Sequence, residues 1–198
     1  MKTLHMMKEM NAFFESYFSK YHTVLSEFLT TQDHKDSLEK TVALLTSKKK
    51  MNATIYIIGN GGSAAIAEHM AVDFTKNAKL RTIAISGAAM LTALANDYGY
   101  EHAFEKAIES YANNNDLLIA ISSSGSSKNI LMACDKAQSI GMHIITFSGF
   151  DKNNPLRKKG AINFWVDSRA YGYIELIHNL VIHFLNDALI GSAEYPAD

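Results

Sequence analysis

Residues 55–63 read Ile55-Tyr56-Ile57-Ile58-Gly59-Asn60-Gly61-Gly62-Ser63, four apolar residues followed directly by a glycine-rich loop. The apolar run predicts a buried strand, and we expect a helix to begin near Ala64. A strand, a tight turn and a helix form the first part of a βαβ unit, whose loop lies at the carboxyl end of a parallel strand. Ligands bind at that end of the strands in open α/β sheets.

The pattern repeats along the rest of the chain. Segments of helical length separate four further apolar runs, at Thr82 to Ile85, Leu117 to Ile121, Ile144 to Phe147 and Ile162 to Val166. Such alternation predicts a parallel sheet in a three-layer α/β fold. With two prolines and no linker-like stretch, we expect a single domain over 1–198, with an α/β core at 51–190 and a frayed tail at 191–198.

The residues before the first strand, 1–50, are predicted to form a largely helical extension. Helical spacing over Phe13 to Phe28 gives one apolar face, and a second helix is expected over about Asp36 to Leu45. The residues of that face are Phe14, Tyr17, Phe18, Tyr21, Leu25 and Phe28. Core packing alone and packing against another subunit both explain such a face, so an oligomer is an expectation here.

Composition excludes several classes of function. A net charge of -1 offers no broad positive field, so we expect neither nucleic acid nor membrane as a partner. The run Lys48 to Lys50 is interpreted as a solvated helix end. The single cysteine, Cys134, is expected to be a packing residue, and this cysteine usage is typical of a reducing cytoplasm.

The first loop is predicted to bind an anion. Its glycines let the backbone approach a ligand closely, and the following helix presents unpaired amides, which suits phosphate. The stretch also matches a loose dinucleotide fingerprint, Gly-x-Gly-x-x-Ala. About twenty residues later, however, Ala84-Ile85-Ser86 lacks the acid that would hold a ribose hydroxyl, which argues against a dinucleotide.

A second loop, Ser122-Ser123-Ser124-Gly125-Ser126-Ser127, follows another apolar strand and precedes a helix from about Asn129. Five hydroxyls and a glycine at a helix start can surround phosphate oxygens without any formal positive charge. Serines also cap helices and fill turns, but five in six positions exceed what a cap needs.

Four ordered motifs give the chain a resemblance to the sugar isomerase (SIS) domain family, and within it to phosphoheptose isomerases. The motifs are Gly59 to Ala65 followed by His69, Leu94-Ala95-Asn96-Asp97-Tyr98-Gly99-Tyr100, Ile121 to Ser127 followed by Asn129, and Ile177-His178 with Ile182-His183. They cover about residues 36–189. The resemblance implies a five-stranded parallel sheet, a homotetramer with active sites between subunits, and conversion of sedoheptulose 7-phosphate to D-glycero-D-manno-heptose 7-phosphate, the entry to bacterial surface heptose.

The resemblance also implies a set of site residues. Substrate and phosphate contacts fall on Asn60, Gly61, Gly62, Ser63, Asn96, Asp97, Ser122, Ser123, Ser124 and Ser127. Metal positions, with zinc as the expected divalent ion, fall on His69, Asp73, Glu175 and His183. The catalytic candidates are Asp73, His183 and Asp97. Two positions depart from the commoner family pattern, which has glutamate in place of Asp73 and glutamine in place of Glu175.

Helix geometry constrains these residues. His69 and Asp73 are spaced i, i+4 and therefore share a helix face, where they can ligate a metal or supply a base. Glu175 and His183 would lie about 12 Å apart along a straight helix, so one metal cannot easily touch both. Either the chain is not yet helical at Glu175, or the ligands come from different subunits. His178 is turned about 140° from His183 and is expected to point elsewhere.

Two other functions stay open at this point. The chain can be a non-catalytic SIS module, such as a phosphosugar sensor or a regulator that binds a replication initiator, because the Asp73 and Glu175 departures affect the acid/base positions. It can also be an isomerase of a different phosphosugar, which the same motifs would serve.

Overall fold

A computed structural model of the chain describes the backbone of residues 2–196 and the side chains of residues 7–196. Five parallel strands form one sheet in the order β2-β1-β3-β4-β5. The strands are β1 (Thr54–Ile58), β2 (Arg81–Ala84), β3 (Leu117–Ser122), β4 (His143–Ser148) and β5 (Ile162–Trp165). The predicted five-stranded parallel sheet is thus confirmed.

The helices cover both faces of this sheet. Within the described residues they are α1 (Lys2–Thr30), α2 (Gln32–Lys50), α3 (Gly62–Lys76), α4 (Ala88–Tyr98), α5 (Ala103–Tyr111), α6 (Lys128–Ile140) and α7 (Tyr171–Ile190). Short 3-10 helices lie at Tyr100–His102 and Pro155–Lys158. The result is the predicted three-layer α/β arrangement.

Successive side chains of the central strands point to opposite faces of the sheet, so the core has two halves. Ile55 and Ile57 of β1 pack with α3 and α7, whereas Tyr56 and Ile58 pack on the other face with α5 and α6. Because both faces are covered, β1 and β3 are buried along their whole length. This is why they are apolar at almost every position instead of alternating with polar residues.

The N-terminal extension consists of two helices that are longer than predicted. On α1, Tyr17 and Tyr21 pack their rings against Tyr173 of α7, with centroids 4.8 and 5.6 Å apart. Phe14 and Phe18, on the same helix, leave more than half of their surface exposed. The predicted apolar face is therefore only partly used by the core of one chain.

Three details differ from the sequence predictions. Lys48 is not part of a solvated helix end, because its side chain is buried and its Nζ donates to the Asn115 carbonyl at 2.5 Å. Helix α7 already includes Glu175, so the hypothesis of a non-helical chain at that residue is wrong. The tail is not simply frayed, since the Tyr195 hydroxyl accepts hydrogen bonds from Asn77 and Asn186; residues 197–198 of the predicted tail lie outside the described residues.

Among the described helices, none has the length and apolar character that crossing a membrane requires.

Candidate active site

The first loop lies where the order of strand addition reverses, because the chain adds β2 on one side of β1 and β3 on the other. From β1 the chain crosses to β2 on one side, and β3 pairs with β1 on the other, so the loop after β1 opens into the crevice between neighbouring crossovers. A Cβ on Gly59 would lie 2.6 Å from the Ser63 backbone, and Gly61 has φ +55°. Glycine at these positions allows the tight turn that begins α3 beside the strand end.

The second loop follows β3, the neighbour of β1 in the sheet. Gly125 has φ +65°, and a Cβ there would lie 2.1 Å from the Asn154 side chain, so only glycine fits. Ser122 and Ser127 approach each other with their hydroxyl oxygens 3.1 Å apart. The turn therefore folds the serine side chains toward one another ahead of α6.

The two loops meet around a cavity of about 200 Å³, which we call the serine cavity. Its lining residues are Asn60, Ser63, Ile121, Ser122, Ser123, Ser124, Ser127, Tyr171 and Glu175. The Ser123 hydroxyl is buried and has no hydrogen-bond partner among the residues that the structure describes. The lining contains neither lysine nor arginine, so a ligand there would be held by hydroxyls and by the amino ends of α3 and α6. An unpartnered buried hydroxyl suits a strong acceptor such as a phosphate oxygen.

A second group of side chains joins α3 to α7. The nearest ligand atoms of His69, Asp73 and His183 all lie within 4.8 Å of one another. Asp73 Oδ2 is 3.5 Å from His69 Nε2 and 3.9 Å from His183 Nδ1. Asp73 is mostly buried, whereas His69 exposes 59% of its side chain, so the group opens to solvent on the histidine side. Two imidazole nitrogens and a carboxylate are donors that zinc and similar ions accept.

Glu175 does not belong to this group in a single chain. Its carboxylate lies directly over Gly62, where a Cβ would come within 2.5 Å of it. It lines the serine cavity and also an adjoining groove of about 450 Å³ between α3 and α7, together with His69 and Leu176. On the straight helix α7 the eight-residue separation keeps it away from His183, as the helical rise requires.

Two residues of the second motif lie apart from the serine cavity and the groove of a single chain. Asn96 and Asp97 lie in the last turns of α4, are exposed, and bond to each other through Asn96 Nδ2 and Asp97 Oδ1 at 2.9 Å. Neither lines the serine cavity or the groove. A site formed by one chain therefore does not bring Asp97 to the other catalytic candidates.

Two further predictions are confirmed by burial. His178 is fully buried, donates from Nε2 to the Ser148 carbonyl at 3.1 Å and is not part of the group formed by His69, Asp73 and His183. Burial lowers the pKa of His178 to about 4. Cys134 is buried in α6, and burial raises the pKa of its thiol to about 12, which makes it an inert packing residue.

Sequence reasoning missed several residues near the site. Tyr171 lines the serine cavity from the start of α7, and Tyr100 donates from its hydroxyl to Asn60 Oδ1 at 2.7 Å. Asn77 Nδ2 approaches both Asp73 Oδ1, at 3.5 Å, and the Tyr195 hydroxyl, at 3.4 Å. Tyr100 carries a sequence signal through its place in the second motif, and Asn77 through its i, i+4 spacing from Asp73. The positions of Tyr171 and Tyr195 depend on packing between residues far apart in the chain.

Comparison with known proteins places this geometry in a family. The profile described as SIS domain matches residues 16–149. The chain belongs to the SIS domain family. Phosphoheptose isomerase of Helicobacter pylori strain P12 is 39% identical to this SIS protein over 162 residues, which cover 78% of the chain and 83% of the relative.

Solved structures agree with the assignment. Phosphoheptose isomerase from Neisseria gonorrhoeae superposes with a TM-score of 0.84 at 27% identity, covering 91% of this chain and 99% of the other. The enzyme of that name from Francisella tularensis gives a TM-score of 0.82 at 26% identity, covering 90% and 97%. The SIS fold expected from the motifs is therefore shown.

Proposed function

We propose that this SIS protein is a phosphoheptose isomerase, which converts sedoheptulose 7-phosphate to D-glycero-D-manno-heptose 7-phosphate through an enediol. Relatives of that name match most of the chain in sequence, and two solved enzymes of that name share its fold. The product would enter bacterial surface heptose synthesis in the cytoplasm, in keeping with the single buried cysteine.

The observation that carries the proposal is the serine cavity with its unpartnered Ser123 hydroxyl. We assign the phosphate to the hydroxyls of Ser63, Ser122, Ser123, Ser124 and Ser127, with Gly61 and Gly62 allowing its approach to the α3 amides. These donors are neutral, so they bind the phosphate oxygens through hydrogen bonds and the dipoles of α3 and α6, with no ion pair. Glu175 lines both the cavity and the adjoining groove, and we propose that the sugar extends past it from one into the other.

The residues of the α3–α7 group fit a divalent metal, and zinc is the ion we propose. Donor atoms that share one tetrahedral zinc lie about 3.3 Å apart, and the 3.5 and 3.9 Å separations around Asp73 approach that value. His69, Asp73 and His183 would hold the ion, with Glu175 as a fourth ligand only if its side chain swings from Gly62. A bound ion would supply Lewis acidity to the oxygens of the substrate.

Isomerisation of a ketose to an aldose moves a proton between neighbouring carbons, and a base must take it and return it. We assign this work to the carboxylate of Asp73 and the imidazole of His183, which lie 3.9 Å apart between α3 and α7. Asp97 is proposed to act from a neighbouring copy in a homotetramer, because it is exposed and lies outside the cavity of its own chain. Asn96 and Asn60 are proposed substrate contacts.

The sensor and regulator hypotheses predict binding without turnover. The test is to incubate the zinc-loaded protein with sedoheptulose 7-phosphate and identify the sugar products by NMR. We expect heptose 7-phosphate from the wild type and a loss of at least about a hundredfold in rate for His183→Ala. The His22→Gln variant, which changes an exposed histidine of α1, is the matched control and is expected to keep full activity. Binding without product, or conversion of another phosphosugar only, would contradict the proposal.

A further inference from the structure

A chain of hydrogen bonds connects the two anion-binding loops to the segment after α4. Asn60 Nδ2 donates to Asn129 Oδ1 at 3.0 Å, and Asn129 Nδ2 donates back to Asn60 Oδ1 at 2.9 Å. The Tyr100 hydroxyl donates to the same Asn60 oxygen at 2.7 Å. Three separate elements therefore converge on one side-chain amide.

The orientation of both amides is fixed by a group that can only donate. The backbone N–H of Ile130 lies 3.0 Å from Asn129 Oδ1, so that atom must be the oxygen of the amide. Asn129 then turns its nitrogen toward Asn60 Oδ1. Because that oxygen carries no hydrogen, the Tyr100 hydroxyl has to be the donor in the remaining bond.

Asn60 is left with a single free hydrogen-bond donor. Its oxygen accepts two hydrogen bonds and has no lone pair left, while one of the two hydrogens on Nδ2 is used by Asn129. The other hydrogen has no partner among the described residues, and Asn60 lines the serine cavity. Toward a bound molecule, Asn60 can therefore donate one hydrogen bond and accept none.

We propose that Tyr100 and Asn129 are positioning residues that hold Asn60 as a one-bond donor to an oxygen of the sugar, next to the phosphate held by the serines. The inference rests on the proposed isomerase function. A sugar oxygen near the phosphate end of the chain accepts such a bond, because Asn60 lines the same cavity as the serines. Tyr100 acts on the substrate only through Asn60.

A double-mutant cycle tests this coupling. Tyr100→Phe removes only the hydroxyl of a side chain that is 54% exposed, so the variant is expected to fold. We expect it to lower kcat/KM for sedoheptulose 7-phosphate about threefold to tenfold in the wild-type background. In the Asn60→Ala background the same change is expected to have less than about a twofold effect. Tyr111→Phe, at an equally exposed tyrosine whose hydroxyl has no described partner, is the control and is expected to have no effect.

Two further readouts separate positioning from a merely structural role. Inhibition by inorganic phosphate is expected to be unchanged in Tyr100→Phe, because the serines hold the phosphate. Asn129→Asp keeps the acceptor for Ile130 but removes the donor to Asn60, so it is expected to lower kcat/KM while thermal unfolding confirms that the variant folds. Equal effects of Tyr100→Phe in both backgrounds would overturn the proposal, as would weaker phosphate inhibition.

The dissociation constant of sedoheptulose 7-phosphate is also measured by calorimetry for the wild type, the two single variants and the double variant of the cycle. A wild type that binds this sugar without converting it would refute the isomerase function, and the coupling in binding would still decide the role of Tyr100. A wild type that neither binds nor converts it would overturn both.

Discussion

At the scale of single residues, the three side chains around Asp73 make the most direct prediction. Asp73→Asn keeps the shape of the side chain but removes the charge that lies between two imidazoles. We expect zinc affinity, measured by competition with a chelator, to fall by about a hundredfold or more, since changes even in groups that only orient a ligand cost tenfold to a hundredfold. His22→Gln should bind zinc like the wild type, and unchanged affinity in Asp73→Asn would place the metal elsewhere.

Gly125 provides a second prediction at this scale. Gly125→Ala would combine an unfavourable positive φ with a contact of 2.1 Å to Asn154, whereas Gly191→Ala, at φ +91°, meets no atom within 4 Å. Strained backbone of this kind costs about 1–3 kcal/mol. We therefore expect urea unfolding to show a larger loss of stability for Gly125→Ala than for Gly191→Ala, together with weaker phosphate binding. Equal losses would mean that the Asn154 contact is relieved by a small shift.

The sequence predicts some of these residues but not their arrangement. His69 and Asp73 could be paired because helix periodicity alone puts them on one face. The contacts of Asn60 with Tyr100 and Asn129 could not be predicted, because they span 40 and 69 positions and depend on how three elements pack. The resemblance implies that Glu175 is a metal ligand, whereas its position over Gly62 follows only from the packing of α7 against α3.

At the scale of elements, His178 links α7 to the end of β4 and makes the stability of the protein depend on pH. Its folded-state pKa of about 4 lies below the ordinary value of 6.5, so the unfolded chain binds more protons between these values. The associated stability is present above pH 6.5 and is lost as the pH falls toward 4. We expect the free energy of unfolding to fall by about 2 kcal/mol between pH 7 and pH 5 from this group.

His178→Gln isolates that contribution, because glutamine can still donate to the Ser148 carbonyl but does not titrate. Urea unfolding at the two pH values should show a smaller loss for the variant than for the wild type. The same loss in both proteins would mean that His178 is protonated in the folded state without penalty.

Element boundaries show where a sequence pattern is informative. The sequence predicts all five strands to within one residue at each end. Burial on both faces makes β1 and β3 continuously apolar, whereas the edge strand β2 alternates between exposed and half-buried residues. The helices α1 and α2 extend beyond their predicted ends, since exposed polar residues such as those near Lys50 carry no periodic signal. The sequence predicts a solvated Lys48, because its contact with the Asn115 carbonyl joins residues 67 positions apart.

At the scale of the whole molecule, the exposed apolar side chains of α1 and α7 bear on assembly. Phe13, Phe14 and Phe18 of α1 are more than half exposed, and Leu176, Leu180 and Phe184 line an open side of α7. Aromatic surface of this kind commonly marks a protein–protein interface. Together with the exposed position of Asp97, it supports the proposed homotetramer with shared sites.

Sedimentation velocity tests this assembly. We expect the wild type to sediment as a tetramer and Phe14→Glu to shift it to smaller species with a loss of activity, because a charge would be buried in the interface. Met51→Glu, at an exposed apolar residue outside these helices, should stay tetrameric. A wild-type monomer with full activity would show that one chain completes the site.

The fold could be predicted from the order of strands and loops, and the family from four motifs together. The subunit arrangement could not, because the same apolar face of α1 serves a core or an interface. The path of the tail, with Tyr195 beside Asn77 and Asn186, also had no sequence signal.

The most direct test of the central claim is to follow sedoheptulose 7-phosphate by NMR in D₂O with the zinc-loaded wild-type protein. An enediol route exchanges the migrating proton with solvent, so we predict D-glycero-D-manno-heptose 7-phosphate that carries deuterium at the carbon receiving the proton. If no aldose formed and no deuterium entered the ketose, the claim that this site is an isomerase would be contradicted.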